Sequence, residues 1–132
     1  MFKSVHLALP VRDLAKAMTF FEDLFGARII ARDQAHNTCT LAYGQFEYSL
    51  FEMPHFEFSK RELGPFHIGH EVHSRSLVDE IHNLAIEKSY EITSAPFDRD
   101  DGDYALFIRG DQGIIFEFFY GGHHAARARL LE

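Results

Sequence analysis

The sequence has no tryptophan, a single cysteine and a deficit of basic residues. Each shortage excludes something. With Cys39 alone no internal disulfide can form, so a cytoplasmic protein is expected. Lys and Arg total 13 against 20 Asp and Glu, a formal net charge of −7. Nucleic acid is therefore not an expected partner, because affinity for its backbone comes from dense basic side chains. No apolar run approaches the ~18 residues a bilayer span requires, so no membrane partner is expected either. The opening stretch MFKSVHLALPVRDL meets Arg12 and Asp13 at once and does not read as a signal peptide. What remains is 132 residues, 46% hydrophobic and 25% charged, the make-up of a single globular domain over 1–132. His and Phe are plentiful, at nine and fourteen. A metal site in an apolar cavity would need both, but a count does not place one.

The chain repeats itself. The segment His6-Leu-Ala-Leu-Pro-Val11 resembles His67-Ile-Gly-His-Glu-Val72, with His, small residues and Val at matching offsets. A helical pattern follows each. Leu14, Ala17, Met18, Phe21, Leu24 and Phe25 recur at helical spacing, with Asp13 as N-cap and Gly26 as stop. Leu77, Val78, Ile81, Leu84 and Ala85 do the same, with Ser76 and Asp79 spaced as a capping box. Three strand-like runs come next in each half, at 28–32, 38–43 and 46–53, then at 91–97, 104–109 and 114–120. Gly44, the acidic stretch 100–103 and the segment 110–113 supply turn chemistry. The expected fold is α+β: two βαβββ modules, 3–53 and 65–120, forming a curved mixed sheet around a metal-containing cavity. A linker at 54–64 joins them and a tail follows from 121 to 132.

Strand side chains alternate faces. His6, Ala8 and Pro10 share one face of the first strand; His67, Gly69 and Glu71 share one face of the fifth. If the halves are related by two-fold symmetry, His6 and His67 are equivalent, with small neighbours leaving room. In the last run Glu117 stands among Ile114, Ile115, Phe116, Phe118 and Phe119. A carboxylate there is costly to bury unless it is paired or binds a cation. Two His and one carboxylate are the facial-triad pattern, with coordination positions left open for a substrate bearing adjacent oxygens.

The start HxAxxV, the helix DLxxAxxFFEDLFG, the second start FHIGHEV and the closing GIIFEF together resemble the vicinal oxygen chelate superfamily. It includes glyoxalase I, extradiol dioxygenases, fosfomycin-resistance enzymes and bleomycin-resistance proteins. The resemblance implies His6, His67 and Glu117 as metal ligands, a small-molecule substrate and a homodimer. Members with four ligands carry a second carboxylate at the end of the first module. Aligning Gly44 with Gly113 places Tyr48 there, turns Glu47 away and leaves Glu52 on the parity of Tyr48. A three-ligand site fits better, with Fe2+ or Mn2+ favoured over Zn2+ or Ni2+; in a lyase or isomerase Glu52 or Tyr48 would complete the site.

Tyr48 and Tyr104 are the candidate catalytic hydroxyls. The extradiol signature is incomplete, since Phe107 stands where its Tyr is usual. Phe46, Phe51, Phe107 and Phe119 are candidates to line a cavity for an aromatic or apolar substrate. Arg12, Arg99 and Arg109 are candidates to bind a substrate carboxylate, and the sequence selects none of them. The first expectation is a metal-dependent enzyme with a lean to dioxygenase-like chemistry. A glyoxalase-like lyase or isomerase is the alternative, and a metal-free drug-binding resistance protein the second alternative.

Overall fold

A computed structural model describes residues 3–56, 66–100 and 102–121. Most of the expected linker and nearly all of the expected tail lie outside the described residues. The chain forms two compact units, one of residues 1–63 with 110–113, the other of residues 64–109 with 114–132.

The first unit contains β1 (Val5–Val11), α1 (Leu14–Phe25), β2 (Arg28–Asp33), β3 (Thr38–Tyr43) and β4 (Phe46–Glu52). Its sheet runs β1-β4-β3-β2, with β1 parallel to β4 and the other pairs antiparallel. The second contains β5 (His67–Glu71), α2 (Arg75–Glu87), β6 (Glu91–Asp98), β7 (Tyr104–Arg109) and β8 (Ile115–Tyr120). Its sheet runs β5-β8-β7-β6 with the same pattern of one parallel and two antiparallel pairs. The strands thus form the two expected βαβββ modules. Their ladders close within each module as two four-stranded mixed sheets, where the sequence suggested one.

Helix α1 begins and ends where its sequence signals stand. The Asp13 carboxylate accepts the Lys16 N–H at 3.0 Å, and Gly26 terminates the helix at φ +60°, a left-handed conformation that favours glycine. One face of α1 buries Leu14, Ala17, Phe20, Phe21, Leu24 and Phe25. Phe21 stacks on Phe25 at 4.9 Å and meets the Tyr48 ring at 4.9 Å, above the fully buried Leu41 and Leu50. Each such ring removed from water stabilises the unit by roughly 1.5–3 kcal/mol.

Helix α2 starts two residues earlier than the capping-box spacing suggests. Ser74, extended at φ −153°, is the N-cap, and its hydroxyl accepts the Leu77 N–H at 3.1 Å. Ser76 lies inside the helix, and Asp79 instead accepts a 2.5 Å hydrogen bond from the Tyr104 hydroxyl. Val78 and Ala85 are buried in this unit together with Leu106, Ile108, Phe116 and Phe118 of its sheet.

Among the described residues no helix is long and apolar enough to cross a membrane.

Candidate metal centre

The sheet of the second unit has a helix-covered face and an opposite face. Leu106, Ile108, Phe116 and Phe118 belong to the first. Alternation then assigns Phe107, Glu117 and Phe119 to the second, with His67, Gly69 and Glu71. The ladder makes this concrete: Gly69 pairs with Glu117, and Glu117 pairs with Phe107. Glu117 is only 5% exposed. A buried carboxylate needs a compensating charge or donor, and this one has two. His67 Nε2 lies 3.4 Å from Oε1, and Arg99 Nη1 donates to Oε2 at 2.8 Å. The His67 ring meets the Phe107 ring edge to face at 5.8 Å, and Phe97 stacks against Phe107 at 6.4 Å.

Gly69 is part of the same arrangement. A Cβ at this position would sit 3.0 Å from Glu117 Oε1 and 3.3 Å from Phe119 Cε1. The missing side chain is the space into which the carboxylate oxygen fits beside His67. These residues fit a divalent cation. Imidazole nitrogen and carboxylate oxygen are ordinary ligands, and their 3.4 Å separation is what two atoms each about 2.1 Å from one ion span.

The structure brings His67 and Glu117 together. His6 belongs to the first unit, where it is exposed on β1. Among the described residues no group of three His, Cys, Asp or Glu side chains converges as a metal site.

The first unit departs from the expected symmetry. His6 pairs with Glu47 in the β1–β4 ladder, whereas His67 pairs with Ile115. Two residues further along, Ala8 pairs with Ser49 where Gly69 pairs with Glu117. The counterpart of Glu117 is therefore Ser49, not Tyr48. Glu47, expected to face away, shares the face of His6. Tyr48 is on the helix side, 3% exposed among Phe21 and Phe25, and burial pushes its hydroxyl up to about 12. Glu52 also turns to the helix side, and its Oε2 accepts the Leu14 N–H at 2.9 Å. Tyr104 lies on the face of its sheet opposite Glu117. There it donates to Asp79 and lies beneath the Arg75 guanidinium, 3.8 Å from the ring centroid.

His70, one strand position from Gly69, points to the helix side. It is 9% exposed, and its ring stacks on Phe118 at 5.6 Å. Its Nδ1–H donates to the Glu117 carbonyl at 3.3 Å, and burial lowers its pKa to about 4. His36 is a surface residue bound to Asp33, and His55 and His73 are exposed. His123 and His124 lie outside the described residues.

Comparison with known proteins supplies the family. The sequence profile of the glyoxalase/bleomycin resistance protein/dioxygenase superfamily matches residues 3–118. The chain belongs to this superfamily. Fosfomycin resistance protein FosX from Listeria monocytogenes superposes with a TM-score of 0.76 at 17% identity, covering 100% of this chain and 98% of that one. Lactoylglutathione lyase from Agrobacterium tumefaciens gives 0.68 at 19% identity, covering 89% and 92%. A superfamily protein from Alicyclobacillus acidocaldarius gives 0.70 at 22%, covering 90% and 91%. Identities this low carry the fold and nothing finer. No functionally curated protein matches the chain by sequence. In this superfamily member the sequence also did not reveal the place of Arg99. It was one of three unselected arginines, and the signal that could have found it is electrostatic: a buried Glu117 demands a cation close by.

Proposed function

We propose that the protein is a divalent-metal-dependent enzyme acting on a small molecule with oxygens on neighbouring atoms. The carrying observation is Glu117, buried in an apolar strand yet aimed at His67 across the gap left by Gly69. His67 and Glu117 hold the ion; by the superfamily resemblance alone, His6, at the repeat-equivalent position, is the third ligand. A bound ion supplies Lewis acidity for adjacent substrate oxygens. Phe97, Phe107 and Phe119 give the face beside His67 an aromatic character suited to an aromatic or apolar substrate. Ser49 in place of a carboxylate supports three protein ligands rather than four, and with them dioxygenase-like chemistry with Fe2+ or Mn2+.

A second reading is a glyoxalase-like lyase or isomerase, with Zn2+ or Ni2+ as further candidates. One observation favours it: the residue beside His67 is Phe107, which has no hydroxyl to donate. Tyr48 and Tyr104, the candidate hydroxyls, are engaged on the helix sides of their sheets and take structural roles in this proposal. By analogy with the superfamily the working protein is a homodimer in the cytoplasm. Oxygen uptake by the Fe2+-loaded protein with a panel of catechols tests the first reading. Uptake lost in Glu117→Gln supports it, and no uptake with any catechol overturns it in favour of the lyase reading.

A further inference from the structure

The two oxygens of Glu117 have different partners. Oε1 faces His67 Nε2 at 3.4 Å, while Oε2 accepts from Arg99 Nη1 at 2.8 Å. Arg99 itself is fixed at the end of β6. Its N–H donates to the Asp103 carbonyl at 2.8 Å, and its own carbonyl accepts the Gly102 N–H at 3.0 Å. Asp103 is 6% exposed, so the anchor of this corner is buried. The guanidinium thus reaches the carboxylate from a hydrogen-bonded corner, through the oxygen that does not face the imidazole. Oε1 occupies the space that Gly69 leaves by having no side chain, where a Cβ would lie 3.0 Å from it.

The geometry points to Arg99 as a positioning residue that makes Glu117 a one-oxygen metal ligand. It rests on the metal-site reading proposed above. By holding Oε2, Arg99 leaves Oε1 alone to face the ion, which keeps coordination positions open for a chelating substrate. Two effects oppose each other here. A fixed positive charge near a cation weakens binding by repulsion, whereas a hydrogen-bonded, pre-oriented ligand strengthens it. Because Arg99 and His67 use different oxygens, an ion beside His67 does not have to displace the guanidinium. Pre-orientation therefore dominates, and removal of such a partner costs about 10–100-fold in metal affinity.

The test is calorimetric titration of the metal-free protein with Mn2+, with a thermal melt without metal confirming that each variant is folded. Arg99→Leu should bind about 10–100-fold more weakly than wild type. Arg99→Lys, which keeps a charge and a donor, should recover part of the loss. Arg75→Leu removes another arginine–carboxylate pair of the same unit, the one to Asp98, and should bind as wild type does. Unchanged or tighter binding by Arg99→Leu overturns the inference and makes Arg99 a competitor of the ion. If Arg99→Leu does not fold, Arg99→Lys decides. Intermediate weakening supports the inference, and wild-type affinity overturns it. A wild type that binds no Mn2+ removes the metal-site reading and this inference together, so the two failures are distinct.

Discussion

The most quantitative consequence of the structure concerns His70. Its ring is enclosed by Phe118 at 5.6 Å and Phe116 at 6.1 Å and hydrogen-bonds the Glu117 carbonyl. Burial pulls its pKa from 6.5 to about 4. Above pH 6.5 the ring is neutral in folded and unfolded chains, and the contribution to stability is fully present. As pH falls from 6.5 towards 4, the unfolded chain takes up a proton and the folded one does not, so stability is lost. At about 1.4 kcal/mol per pH unit the full loss is about 3 kcal/mol, and about 2 kcal/mol of it is reached by pH 5. The variant His70→Phe keeps an aromatic ring between its neighbours and removes the titration. At pH 7.5 it should cost about 1 kcal/mol for the lost hydrogen bond. Urea unfolding of both proteins from pH 7.5 to 5.0 checks this. Wild type should lose about 2 kcal/mol relative to the variant over that range, the carboxylates common to both cancelling. Parallel stability curves would refute the reasoning, because they would mean that His70 titrates alike in folded and unfolded chains.

Other consequences are simpler. Tyr48→Phe should change stability by less than about 1.5 kcal/mol and leave Mn2+ affinity unchanged, whereas Tyr48→Ala should cost about 3–5 kcal/mol, both read by urea unfolding. Gly69→Ala forces a Cβ against Glu117 Oε1 and Phe119, so it should weaken Mn2+ binding and cost about 1–3 kcal/mol through overpacking. Ser74→Ala should destabilise the protein by about 1 kcal/mol and Ser76→Ala by much less in thermal melts, because only Ser74 caps α2.

The modules were legible because their signals are local. Apolar spacing marks α1, Asp13 and Gly26 bound it, and alternation with turn residues marks the strands. The start of α2 was misjudged because Ser74 and Ser76 are both capping residue types; only the extended backbone at Ser74 distinguishes them. The register of β4 was misjudged for a different reason. Gly44 and Gly113 look like equivalent turns, but faces are fixed by the ladder to the first strand of each module, which sets Glu47 beside His6 and Ile115 beside His67. A slip of one residue exchanges the two faces of a strand. That slip put Tyr48 where Ser49 stands and hid Glu47. Glu117 is recognisable as a buried carboxylate only when its apolar neighbours are taken together with the repeated His6 and His67, since an isolated Glu in a strand more often faces solvent. Arg99 is not recognisable, because its contact with Glu117 joins residues 18 positions apart in the chain, and no local pattern encodes that.

The proposed function depends on a metal centre formed by His67 and Glu117. Calorimetric titration of chelator-treated protein with Mn2+, repeated on His67→Ala and Glu117→Gln, tests it most directly. Wild type should bind Mn2+ saturably, and both variants should lose that binding while their thermal melts remain cooperative. Absence of binding by folded wild type, or binding that survives both substitutions, would contradict it.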